Sequence, residues 1–127
     1  MEGRFRAESG TVDAPIGRSP RDRKRMAVVP GGREAVTHFR VLQAFSRTSL
    51  IECRLVTGRT HQIRVHFAAL GHPLLGDALY GGDASRLARP ALHSAAADFA
   101  QPVTGQSLHI TAPVPDDLRA FDFERYL

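Results

Sequence analysis

Leu50-Ile51-Glu52-Cys53-Arg54-Leu55-Val56-Thr57-Gly58-Arg59-Thr60-His61-Gln62-Ile63-Arg64-Val65-His66-Phe67-Ala68-Ala69-Leu70-Gly71 changes its hydrophobic period once, and that change decides the fold class. Up to Val56, the apolar side chains Ile51, Cys53 and Leu55 alternate with Glu52 and Arg54, the period of a half-buried strand. Cys53 lies on the inward face and is expected in the core. Thr57-Gly58-Arg59-Thr60 ends the strand. Beyond it Ile63, Phe67 and Leu70 recur at i, i+4 and i+7, an apolar stripe that predicts a helix from His61 to about Leu70. Thr60 is its expected N-cap, and Gly71 stands where a left-handed C-cap belongs. A strand that runs directly into a helix, inside a chain rich in strand signals, implies an α+β fold.

Outward from this stretch, Ala35 to Phe45 is rich in Val, Thr and Phe and free of Gly and Pro, so it reads as the preceding strand. Met26-Ala27-Val28-Val29 is a shorter strand, stopped by the turn Pro30-Gly31-Gly32. Residues 1–25 read as an extended entry with turns at Ala14-Pro15-Ile16-Gly17 and Ser19-Pro20-Arg21-Asp22. Downstream, residues 72–90 read mostly as loop. Ala91 to Phe99 and Ser107 to Thr111 form a hairpin around Gln101-Pro102-Val103-Thr104-Gly105. Asp116 is the expected cap of a final helix toward Tyr126, with Leu118, Phe121 and Tyr126 on its apolar side.

A chain of 127 residues allows one domain. No apolar run approaches the roughly 18 residues of a membrane span, and the opening residues lack the apolar segment of a signal peptide. A single cysteine excludes an internal disulfide and any multi-cysteine zinc site. A cytoplasmic protein without membrane contact is expected. The charge is unevenly spread: residues 1–66 carry 13 basic and 6 acidic side chains, a balance of +7, and the remainder carries 4 and 7, a balance of −3. Sixteen of the 17 basic residues are Arg, whose planar fork grips two phosphate oxygens at once. A basic half fits a polyanion such as RNA, with Arg21, Arg23, Lys24 and Arg25 as its densest cluster. Solvated surface charge is the plainer alternative.

Reactive side chains concentrate at Thr57 to His66, where the strand becomes the helix. A helix N-terminus presents unpaired N–H groups and suits an anion or polar ligand, although a solvated helix start has the same composition. His61 and His66 are five residues apart, roughly 140° around a helix, so they cannot share one metal ion as an i, i+4 pair would. No Gly-x-Ser-x-Gly elbow is present, and the glycine pairs at 31–32 and 81–82 lack phosphate-loop spacing. Asp77, before Tyr80-Gly81-Gly82, reads as a turn-stabilising carboxylate.

Gly58-Arg59-Thr60-His61-Gln62-Ile63-Arg64-Val65-His66, followed by Gly71-His72-Pro73-Leu74-Leu75-Gly76-Asp77 and Tyr80-Gly81, closely resembles the RluA/RluD-type RNA pseudouridine synthases. Gly10 to Arg18, Met26-Ala27-Val28, Ala35 to Val41, Ala91-Leu92-His93-Ser94 and Pro113 to Asp117 resemble flanking motifs of the same family, so the likeness spans residues 10–121. The resemblance implies a mixed, largely antiparallel sheet with flanking helices, and isomerisation of uridine to pseudouridine in RNA, with a lean toward large-subunit rRNA. It implies no metal or cofactor. It also implies a base taken out of the stack, as chemistry on a base requires. By position in the motif, Arg64 matches the basic partner of the catalytic aspartate. Arg59, Thr60, His61 and Gln62 match neighbours of the substrate cleft, and Leu92 an apolar residue that helps line it.

The family's His-Arg-Leu-Asp segment, which holds that aspartate, has no match here, nor does the base-stacking tyrosine that follows it. None of Asp13, Asp22, Asp77, Asp83 or Asp98 has the required context, which leaves Arg64 facing solvent or a stray carboxylate. The chain is therefore expected to be the C-terminal part of a synthase catalytic domain, without the S4-like domain of many members and inactive alone. It is also expected to self-associate or to pair with the upstream half. A non-catalytic RNA-binding module and an unstable truncated product remain as alternatives.

Overall fold

The computed structural model describes residues 1–121. They fall into two compact units, Met1–Ala91 and a smaller one that begins at Leu92. The architecture is α+β, and every strand pairing among the described residues is antiparallel.

In the first unit the strands are β1 (Ser9–Asp13), β2 (Ile16–Arg18), β3 (Met26–Val28), β4 (Val36–Ala44) and β5 (Ser49–Leu55), followed by helix α1 (Gln62–Ala69). β4 is central in a three-stranded sheet of order β1-β4-β5, while β2 and β3 form a separate ribbon. The register sets Phe39 opposite Cys53 and Thr37 opposite Leu55, so the inward face expected of β5 shares a side with Thr37 and Phe39. On that side Phe39, Phe67 of α1 and Phe5 pack ring against ring, with centroids 5.4–5.8 Å apart. Beside this cluster Ile16, Ala35, Val65 and Tyr80 form the buried core, with Met26 and Ala68 against it.

α1 ends as its sequence predicts. Gly71 takes φ +81°. Its N–H donates to Ala68 O and that of His72 to Phe67 O, the paired bonds of a Schellman cap. Its start and its buried face both differ from expectation. The N-cap is His61, in a left-handed conformation and without a side-chain cap bond, instead of Thr60. The buried residues are Gln62, Val65, His66 and Phe67, while Leu70 follows the helix and is exposed. Two polar side chains take up the buried face because partners await them there, a possibility that an apolar periodicity does not register. Cys53 is half-buried instead of fully enclosed, and partial burial pushes its thiol up to about 11.

Strands β1 and β2 lie within the segment expected to be only extended turns. Each buries a single apolar side chain, Val12 or Ile16, too little to show as alternation. Ala78–Tyr80 forms one 3-10 turn inside the expected loop. In the second unit the hairpin pairs β6 (Ala96–Ala100) with β7 (Ser107–Thr111). It starts five residues later than predicted, since the Ala91 N–H already donates to Leu75 O in the first unit. Helix α2 covers only Asp116–Arg119, capped by Pro115, not Asp116. The carboxylate of Asp116 pairs with Arg119 within the helix, which takes it away from the cap. Tyr126, assigned above to this helix, lies outside the described residues. No helix among them is long and apolar enough to cross a membrane.

Candidate active site

The turn from β5 into α1 is held from inside by Gln62. Its Oε1 accepts from the Arg59 N–H at 2.9 Å and from Thr57 Oγ1 at 2.7 Å. Its Nε2 donates to Val36 O at 3.0 Å and to Thr37 Oγ1 at 2.9 Å. All four hydrogen-bonding positions of the amide are therefore filled, which explains a buried Gln where the sequence suggests a ligand-facing one. The chain continues inward. Thr37 Oγ1 lies 2.8 Å from His66 Nδ1, and His66 Nε2 donates to Ala14 O at 2.9 Å. Because a carbonyl can only accept, His66 carries a proton on Nε2. His66 is thus a structural residue that joins α1 to β4 and to the β1–β2 connection.

With Gln62 turned inward, the neighbouring side chains separate. Arg59 Nε donates to Glu34 O at 2.7 Å, which ties it to the start of β4. Thr60 is exposed. His61, at φ 56°, is the one non-glycine residue with positive φ among those described, and its ring points at Tyr80. Such a conformation costs on the order of 1 kcal/mol for a non-glycine residue and needs a reason. Here the reason is a 2.8 Å contact between His61 Nδ1 and the Tyr80 hydroxyl, which also accepts from the Met26 N–H at 3.1 Å. Burial, and then the nearby Arg64 charge, lower the affinity of His61 for a proton, which favours the neutral ring beside the Tyr80 hydroxyl.

Arg64 completes the cluster. Its Nε donates to Asp77 Oδ2 and its Nη2 to Asp77 Oδ1, both at 2.9 Å. Asp77 is 1% exposed and the Arg64 side chain 19%. The carboxylate bonds raise the pKa of an arginine that is already always charged. The Arg64 guanidinium carbon lies 5.0 Å from the Tyr80 ring centroid and that of Arg25 lies 5.5 Å away, both within cation–π range. Arg64 Nη1 has no hydrogen-bond partner among the described residues.

The sequence reading of Asp77 is corrected by this geometry. The turn at 77–82 is held by the Asp77 backbone, whose carbonyl accepts from Gly82 N at 2.7 Å. Its carboxylate caps nothing there and belongs to Arg64. Asp77 and Tyr80 thus join Arg64 and His61 in the candidate site, and local pattern reading misses both. The one signal that could have found them is their presence with Arg64 inside one motif-like block.

The basic cluster also divides. Arg21, Arg23 and Lys24 are exposed on the β2–β3 loop, whose turns are held by Ser19 Oγ and Asp22 Oδ1. Arg25 instead folds back on Tyr80, with its Nε buried and unpaired among the described residues. Leu92 opens the second unit and is 37% exposed.

Residues 4–69 match the family described as RNA pseudouridylate synthase. An uncharacterized RNA pseudouridine synthase of Chloroflexus aurantiacus is 54% identical over 114 residues, covering 88% of this chain and 36% of the relative. Ribosomal large subunit pseudouridine synthase D of Nitrosomonas europaea is 50% identical over 122 residues, covering 89% of this chain and 36% of the relative. Among solved structures, human RNA pseudouridylate synthase domain containing 1 superposes with a TM-score of 0.80 at 28% identity, over 93% of this chain and 54% of that one. The chain spans well under two thirds of each of these proteins.

Proposed function

The chain belongs to the RNA pseudouridylate synthase family, of the RluA/RluD type, and from that premise we propose that it forms the arginine-bearing part of a catalytic domain that converts uridine to pseudouridine in large-subunit rRNA. The observation that supports this reading most directly is Arg64, held by both oxygens of the buried Asp77 with Nη1 uncommitted among the described residues. In the reaction an aspartate carboxylate attacks the flipped-out nucleotide, the glycosidic C–N bond breaks, and the detached uracil turns. A uracil carbon then bonds to the ribose and displaces the carboxylate, and the proton lost from that carbon is balanced by one taken up at the nitrogen that had held the ribose. No oxidant or reductant is needed, and the atoms of uridine and pseudouridine are the same. Arginine cannot supply the nucleophile or a general base, because its proton does not leave near neutral pH. What it can do is keep a neighbouring carboxylate ionised and oriented.

Asp77 is not that nucleophile: it is buried and both its oxygens are engaged. In this reading the nucleophile comes from a His-Arg-Leu-Asp-type segment, joined to the chain or on a second polypeptide. Beyond Ser49, which pairs with Met1, β5 is an edge strand with Leu50 exposed on one face and Leu55 on the other, an open edge that fits pairing with that segment's domain half or, without it, self-association. A cytoplasmic location goes with this function.

The test is chemical mapping of pseudouridine in large-subunit rRNA incubated with three preparations. These are the chain alone, the chain joined to the N-terminal part of the Chloroflexus relative, and the two mixed as separate polypeptides. Product is expected from the second and third only. Product from the chain alone, with host synthases excluded, would show that another residue is the nucleophile. A folded joined protein that binds rRNA without making product would favour the binding-module alternative.

RNA affinity should fall with salt by about 0.7–0.9 log units per log unit for each phosphate engaged. Serine at Arg21, Arg23 and Lys24, the exposed members of the cluster, should flatten that slope, and adding Arg25→Ser should flatten it further. Filter binding between low and physiological salt reads this directly. A slope that the four substitutions leave unchanged would make the cluster a solvated loop.

A further inference from the structure

We propose that Asp77 is a positioning residue for the isomerisation: it grips Arg64 by the Nε–Nη2 edge and so presents the Nη1 end of the guanidinium to the catalytic carboxylate. The inference rests on the function proposed above and adds to it the device that aims the arginine.

Three observations carry it. First, the grip is bidentate and symmetric, with two bonds of 2.9 Å in the fork geometry that fixes both the plane and the rotation of a guanidinium. Second, the gripping carboxylate is itself immobile. Asp77 N donates to Leu74 O, its carbonyl accepts from Gly82 N, and it is 1% exposed. Glycines at 76 and 82 allow this, because a Cβ at either position would lie about 2 Å from a backbone oxygen. Third, the Tyr80 ring lies within cation–π range of the guanidinium and is anchored at its hydroxyl by Met26 N and His61. With one edge clasped and an anchored ring beside it, only the Nη1 end and the second Nη2 proton remain to meet another acceptor.

The chemistry explains why a charged pair occupies this position. A buried ion pair is often no more stabilising than an apolar pair of the same volume, so stability alone gives no reason to place one here. A lone lysine would offer a mobile point charge, whereas a clasped arginine offers two donors at a fixed angle. A catalytic carboxylate must be held to within about 1 Å, since larger errors cost on the order of 10²-fold in rate.

The deciding experiment compares Asp77→Asn and Arg64→Ala in the chain joined to the N-terminal part of the Chloroflexus relative, with kcat and KM measured for an rRNA fragment and melting followed alongside. Asp77→Asn keeps the shape and loses one acceptor. A fall in kcat of about 10²-fold, with KM within twofold and the protein folded, is the expected result. Unchanged kcat in folded Asp77→Asn, with Arg64→Ala inactive, would overturn the positioning role and leave the proposed function standing. Full activity of Arg64→Ala would instead overturn the proposed function. An independent measurement on the unsubstituted chain needs no variant to fold. The ¹⁵N resonances of Arg64 Nη1 and Nη2 should be resolved at 25 °C, because the grip blocks rotation about the Nε–Cζ bond. A single averaged resonance would overturn the proposal.

Discussion

Arg64→Ala is expected to destabilise the chain by about 3–5 kcal/mol, a large share of the 5–15 kcal/mol that holds a typical domain together. The loss comes less from the missing attraction than from what remains. Asp77 is 1% exposed and takes its side-chain bonds from Arg64, so the variant leaves an ionised carboxylate in the interior without a counter-charge. The double variant Arg64→Ala/Asp77→Asn removes that charge and should recover a good part of the loss, so the effects of the two substitutions should not add. Arg64→Lys should fall between, because an ammonium restores the charge but not the two parallel bonds. Urea unfolding at pH 7 of the unsubstituted chain, Arg64→Ala, Asp77→Asn and the double variant gives the cycle, with Arg64→Lys measured beside them. Equal stabilities of Arg64→Ala and the double variant would mean that the Asp77 carboxylate reaches water when its partner is gone, and that the site is looser than its geometry implies.

What the sequence made legible follows from where its signals are local. The switch from alternation to helical period at Gly58 marks the end of β5 and the approach to α1, and Gly71 marks the end of the helix because a left-handed cap nearly requires glycine. β4 was legible from its branched and aromatic residues. β1 and β2 were not, since each contributes one buried apolar residue and owes its conformation to the strand it pairs with. The inward face of α1 is not legible, because Gln62 and His66 have no hydrophobic signature. They are buried by hydrogen bonds to Thr37, 25 and 29 residues away in sequence, and no local pattern encodes such partners. The site shows the same division. Arg64 was singled out by its motif, whereas its partner stands 13 residues on, in a segment that reads as loop. Arg25 looked like one of four equivalent surface charges until Tyr80 came to lie beneath it.

Gly76→Ala is expected to have the largest effect of any single methyl group added to this chain, and Gly71→Ala provides its control. Both glycines have positive φ, +79° and +81°, so both substitutions pay the left-handed penalty of roughly 1–2 kcal/mol. They differ in what surrounds them. A Cβ on Gly71 meets no atom within 4 Å, so the backbone penalty is the whole cost. A Cβ on Gly76 would sit 1.9 Å from Arg89 O and 2.8 Å from Leu87 O, which are backbone atoms that no rotamer change can move aside. Either residues 87–89 are displaced, uncovering the buried Leu87, or Gly76 itself shifts and carries Asp77 away from Arg64. Each route breaks a buried contact in addition to the strain, and the expected loss exceeds about 4 kcal/mol. Thermal melts should therefore show Gly71→Ala a few degrees below the unsubstituted chain and Gly76→Ala lower by about 15 °C or more. If the two melt together, the 87–89 segment yields at little cost, and the rigidity that fixes Asp77 must come from the Gly82 side of the turn, where a Cβ would lie 2.1 Å from Leu74 O.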